Sequence, residues 1–175
     1  RILNMETGVE HTQFDIGDLR ITKKLLISEL DGVLQLEISS NIKNGLSMKI
    51  DLQREMDASI YFPDNKTILM DGQIVDIPPP EGFDDNPGGS GPGGKHMRFA
   101  TRVNVEHTGG SATAEPDGIQ INGASTVTIL LAAATDFDAK TLTQDTAKDV
   151  MRGPKKRIKL ALRKNSAQLR GEHKK

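Results

Sequence analysis

The feature that most constrains this chain is a strict alternation of apolar and polar residues, cut at short intervals by turn dipeptides. Leu46, Met48, Ile50 and Leu52 alternate with Ser47, Lys49, Asp51 and Gln53. Leu34, Leu36 and Ile38 do the same against Gln35, Glu37 and Ser39. A period of two places alternate side chains on opposite faces of an extended strand, so each run predicts a strand with one face inward and one toward water. Gly17-Asp18, Asp31-Gly32 and Asn44-Gly45 are tight-turn dipeptides, because Gly and Asn tolerate the left-handed backbone that such turns need. Strands are therefore predicted over 10–16, 19–28, 33–38 and 46–52. Shorter ones follow over 58–62 and 67–70, around the Pro63-Asp64-Asn65 turn and closed by Gly72. The pattern resumes over 97–106, where Phe99, Thr101, Val103 and Val105 share a face, and Gly109-Gly110 then punctuates it. A hairpin over 111–121 and a buried strand over 127–134 complete the series. Turn signals spaced about 8–12 residues apart indicate an all-β antiparallel sandwich or barrel rather than alternating strands and helices.

The core such a domain can build is aliphatic. Only 3% of the 175 residues are aromatic and 35% are hydrophobic, so some apolar surface is expected to belong against a neighbour. Cysteine is absent, which removes disulfides, thiolate metal sites and cysteine nucleophiles. No apolar run approaches the ~20 residues of a membrane-spanning helix. The chain opens on Arg1 with no signal-peptide pattern, as a mature or excised segment would.

Two segments break the strand pattern. From 74 to 96 a Pro78-Pro79-Pro80 run, Asp84-Asp85 and the glycines 88–94 predict a mobile surface loop. From Lys155 the period changes: Ile158, Ala161, Leu162, Asn165 and Leu169 fall on one face of a helix that Pro154 can open. The division is thus a β domain over 1–139 and a linker with a basic helix over 140–175. Charge follows the same division. Residues 140–175 hold 12 of the 23 Lys and Arg but only 3 of the 24 Asp and Glu, a surplus of +9, which leaves 1–139 at −10. The split suggests two units with different surroundings.

No motif amounts to a catalytic, cofactor or metal site. Gly89 to Lys95 nearly spells a phosphate-binding loop, but His96 stands where a hydroxyl is required and a strand follows in place of a helix. The histidines His11, His96, His107 and His173 share no metal-ligand spacing. Asp136 and Asp138, leaving the last strand, are the one carboxylate pair that could line a cleft, although acids at such a spacing usually mark a solvated strand end. Asn65-Lys66-Thr67 is a glycosylation sequon that matters only in a eukaryotic secretory setting. The basic helix lacks the aromatic residues that stack on bases and the attached domain is acidic, so nucleic acid is not an expected partner, and without a spanning run neither is a membrane.

One stretch carries a resemblance. His96-Met-Arg-Phe-Ala-Thr-Arg-Val-Asn-Val105, Gly109-Gly110, Ala114, Ile119 to Gly123, and Val127-Thr-Ile-Leu-Leu-Ala-Ala-Ala-Thr-Asp136 resemble the N-terminal β-sandwich of glycoside hydrolase family 95, the α-L-fucosidases. Leu3 to Gly8, Arg20 to Lys24 and Asp31-Gly-Val33 resemble earlier strands of that domain. Ala161 to His173 is similar to the helix connecting it to the catalytic domain, with Lys and Arg in many acidic and alanine positions. The resemblance implies a supersandwich fold followed by a connecting helix. It also implies that the acid and base of the reaction lie in an (α/α)6 barrel beyond Lys175, on which the helix stripe would rest. On that footing the chain has no catalytic residue, cofactor or metal of its own. Its partners are the barrel and an oligosaccharide, and its location is the periplasm or outside the cell. The competing expectation is a self-standing carbohydrate-binding sandwich, for which the lone Tyr61 and the absence of Trp are poor equipment.

Overall fold

A computed structural model of the chain describes residues 1–78, 80–82, 94–141 and 143–172. Thirteen strands and two helices are present among them. The strands are β1 Ile2–Asn4, β2 Val9–Ile16, β3 Leu19–Ser28, β4 Val33–Ser40, β5 Leu46–Ile50, β6 Ala58–Asp64, β7 Thr67–Asp76, β8 Gly94–Thr108, β9 Ser111–Glu115, β10 Gly118–Ala124, β11 Thr126–Thr135, β12 Phe137–Asp138 and β13 Thr143–Gln144. The helices are α1 Arg152–Ala161 and α2 Ser166–Glu172.

An eight-stranded antiparallel sheet, in the order β1-β2-β3-β4-β11-β8-β7-β6, is faced by a three-stranded sheet, β5-β10-β9. The predicted all-β sandwich is what forms. Its interior is the set of alternate residues that the sequence nominated. Leu46, Ile50, Ile119 and Ile121 from the small sheet meet Ile38, Ile68, Val103, Val105 and Val127 from the large one. Fully burying an aliphatic side chain of this size contributes about 1.5–3 kcal/mol, so this layer is the main source of cohesion.

The turns are where the glycines placed them. Gly17 sits at φ 59° between the paired Ile16 and Leu19, a left-handed conformation without penalty for Gly. Gly72 serves close approach instead: a Cβ there would lie 1.9 Å from the Asp57 carbonyl oxygen.

Three expectations need correction. The segment read as a loop from residue 74 begins later and ends earlier, because Val75 pairs with Lys95 and Asp76 with Gly94 as β7 and β8 extend toward it. Residues 79 and 83–93, which include Gly89 to Gly93, lie outside the described residues, as does His173. The odd face of β4 does not meet water: Val33 and Gln35 are buried and Glu37 is half-buried. The single helix is two, because the turn at 162–165 separates α1 from α2, with Asn165 opening the second.

Candidate functional site

The two helices lie on the outer face of the large sheet, opposite the small sheet. Ile158, Ala161 and Leu169 form a second buried cluster with Val33, Leu130 and Ala132. Of the predicted stripe, Ile158, Ala161 and Leu169 thus rest on this chain's own sheet and not on a missing barrel, whereas Leu162 and Asn165 are exposed. The physical reason lies in β11, which is apolar on both faces, and in Val33 of β4 beside it. Leu130 and Ala132 alternate with Val127, Ile129 and Leu131, so a strand buried by the small sheet on one side needs a cover on the other.

Polar contacts fix the register of this cover. Gln35 Nε2 donates to Ser166 Oγ at 2.9 Å. Lys164 Nζ lies 2.7 Å from Asp31 Oδ1, and Arg170 Nη1 lies 3.5 Å from Glu37 Oε2. The Asp31 carboxylate, and after it Glu172, holds the Lys164 ammonium above the usual lysine range. The acidic body and basic tail are therefore partly complementary halves of one interface, which corrects the reading of two units in different surroundings. Asn165 Oδ1 accepts from the Gln168 backbone N–H and Gln168 Oε1 from the Asn165 N–H, both at 2.8 Å, a reciprocal cap that starts α2.

The linker into α1 is strapped down by Arg98. Its Nε meets Asp136 Oδ2 at 3.0 Å while its backbone N–H donates to Asp136 Oδ1 at 2.9 Å. Its Nη2 donates to the carbonyls of Thr146 at 2.7 Å and Lys148 at 3.1 Å. Asp136 is only 1% exposed and both of its oxygens are engaged, so it anchors the linker instead of lining a cleft. Asp138 Oδ1 accepts from the Lys140 backbone N–H, a local turn contact. Sequence reasoning missed Arg98, Asp31 and Glu37. The first pairs 38 residues away, and no local pattern marks a partner that distant. The other two were legible only as acids opposite a basic tail.

The histidines stay apart. His11 lines a cleft of about 460 Å³ beside Lys24 and Arg170, between the first strands and α2. His96 Nε2 sits 3.0 Å from Asp76 Oδ2, close enough for an ion pair but without hydrogen-bond alignment. His107 Nδ1 contacts the Gly109 carbonyl. No cluster of metal-ligating side chains occurs among the described residues. Asn65 of the sequon accepts from the Ala114 backbone N–H at 2.8 Å, tying the β6–β7 turn to β9. No described helix is long and apolar enough to cross a membrane.

The open side of the sandwich carries an apolar groove of about 510 Å³. There β2 and β3 extend beyond β5, and Phe14, Ile16 and Ile21 face Met48 and Ile50. Ile16 is 61% exposed. A third groove, of about 420 Å³, runs along α1.

With this architecture in place, comparison with known families is decisive. The profile of the family described as Glycosyl hydrolase family 65, N-terminal domain, matches residues 1–140. The chain belongs to this family. A solved structure described as "Putative kojibiose phosphorylase from human microbiome" shares the fold, with a TM-score of 0.53 at 11% identity. The match covers 98% of this chain and 22% of that one, so the present chain spans about a fifth of its length. No curated protein matches. The family found is thus a glycoside hydrolase N-terminal domain, as the resemblance implied, but family 65 by description where the resemblance named family 95.

Proposed function

We propose that this glycosyl hydrolase N-terminal domain is a non-catalytic support for a following (α/α)6 barrel, in a periplasmic or secreted enzyme that cleaves fucosides. The observation that carries the reading is the family match over residues 1–140, on a sandwich whose outer face is closed by its own helices. The fucoside preference rests on the strand identities over 96–136 given above. In this role the sandwich offers a platform that supports the neighbour and helps to frame its substrate cleft. The nominated carboxylate pair does not act on a sugar, since Asp136 is committed to Arg98. Tyr61, about half exposed on the edge strand β6, is a lone platform for a sugar ring, so a self-standing carbohydrate-binding module is the weaker reading.

The test is to assay purified chain for hydrolysis of an aryl α-L-fucoside, alone and fused to the downstream catalytic sequence of its reading frame. The expected result is no turnover above background for the chain alone and turnover for the fusion. Turnover by the chain alone, or a reading frame with no barrel sequence, would overturn the proposal.

A further inference from the structure

The exposed face of α1 carries cations that no carboxylate among the described residues pairs with. From Arg152 to Lys164 there are seven cations and no carboxylate. Lys164 is paired with Asp31, and Arg157 donates to the Ala133 carbonyl at 3.1 Å. Arg152, Lys155, Lys156, Lys159 and Arg163 are all exposed, and none has an ion-pair partner among the described residues. Their spacing is unfavourable for the helix itself. Within α1, Arg152–Lys156 and Lys155–Lys159 are like charges at i, i+4, each of which weakens a helix about as much as an opposite pair strengthens it, and Arg163 adds a further cation in the turn beyond. No acid lies within the first turn, so Arg152 and Lys155 add to the positive end of the helix dipole, which the Asp149 carboxylate just before α1 meets by accepting from the Met151 and Arg152 backbone N–H groups. An ordinary solvated face would mix signs and avoid both penalties.

This face is also shaped. Lys155, Lys159 and Arg163 join Arg102 from β8 around a groove of about 420 Å³, floored by Ile158 and Leu162. Four cations thus surround an aliphatic floor, with no acid in the lining. Leu162 is 43% exposed, and so is Leu160 beside it.

We propose that the α1 face is a docking surface for an acidic polypeptide face that seats an aliphatic side chain over Ile158 and Leu162, with carboxylates reaching Arg102, Lys155, Lys159 and Arg163. The aliphatic floor favours a polypeptide over a polyphosphate. A duplex or an anionic bilayer would spread well beyond the ~15 Å length of α1 and meet the acidic body, where like charge repels it. The helix also offers no aromatic ring to a base. The inference depends only on α1 and Arg102 and stands whether or not the carbohydrate reading does.

The test uses the full chain and three probes at 50 and 200 mM salt: a synthetic peptide alternating Glu and Leu, a 20-base-pair duplex, and vesicles of phosphatidylcholine with phosphatidylglycerol. A Lys155→Gln, Lys159→Gln, Arg163→Gln variant is compared with a Lys43→Gln, Lys95→Gln, Lys140→Gln variant of equal charge. The expected result is peptide binding weakened about tenfold or more in the α1 variant and little changed in the other. The α1 variant should also melt about 1–4 °C higher, because its internal repulsion is relieved. Equal losses in both variants, a lower melting temperature in the α1 variant, or tighter binding of duplex or vesicle than of peptide would each overturn the proposal.

Discussion

At the scale of single residues, the most consequential contact is Arg98 with Asp136. It joins the end of the sandwich to the linker through one guanidinium that serves a carboxylate and two or more carbonyls. Asp136 is buried while the Arg98 side chain remains 34% exposed, so the pair is only half desolvated. Asp136→Ala should therefore lower stability by about 1–3 kcal/mol, less than for a fully buried pair, as a drop in the urea midpoint at unchanged slope. A carboxylate that lined a cleft would be replaceable at little cost. Gly72 makes a second residue-scale prediction. Gly72→Ala drives a methyl into the Asp57 carbonyl, with the Phe99 ring at 2.6 Å closing the other side. It should destabilise by about 1–3 kcal/mol, measured the same way, whereas the methyl of Gly171→Ala in α2 meets no neighbouring atom within 4 Å and no left-handed backbone.

At the scale of elements, the strands were legible because one face of each is buried and the pleat writes that face into alternate positions. Leu36 and Ile38, Val103 and Val105, and Leu46 and Ile50 all follow this rule. The opposite face of β4 was not legible, because polarity is a poor sign of exposure when the covering element brings its own polar partner. Gln35 and Glu37 look solvent-facing until Ser166 and Arg170 are set over them. The break between α1 and α2 was hidden for a related reason: both helices pack on one sheet, so their buried positions run on in a helical spacing across the turn. β1, β12 and β13 have two or three residues each, too few for any period to register. The candidate site was less legible than the fold, because its contacts join β4, β8 and the helices across long sequence separations. If α1 belongs to this sheet, Ile158→Ala should cost about 2–5 kcal/mol in the chain by itself. Asn165→Ala should cost about 1 kcal/mol and reduce amide protection in α2 while leaving β11 protected. Thermal unfolding and amide exchange distinguish the two effects.

At the scale of the whole molecule, two interfaces hold three layers together: aliphatic packing between the sheets, and a mixed apolar and ionic seam between sheet and helices. The seam gives a pH signature. The Lys164 ammonium is held above its unfolded value of 10.5 by Asp31 and then Glu172. Its contribution is complete below that value and is lost as pH rises through the folded one. Unfolding midpoints should therefore fall more steeply above about pH 10.5 for the native chain than for Lys164→Gln, with no difference in slope near neutrality. The layered arrangement also limits how any neighbouring domain would meet this one, since the helices already cover part of the outer sheet face and, among the described residues, leave their own far side, the grooves and the strand edges open.

The central claim is that α1 and α2 complete this domain's own fold. Hydrogen exchange on residues 152–161 of the isolated chain tests it most directly. The account predicts slow exchange of the α1 amides, with an opening free energy close to that of β11. Exchange of α1 at unprotected rates while β11 stays protected would contradict it, and would return the helix stripe to a surface outside this chain.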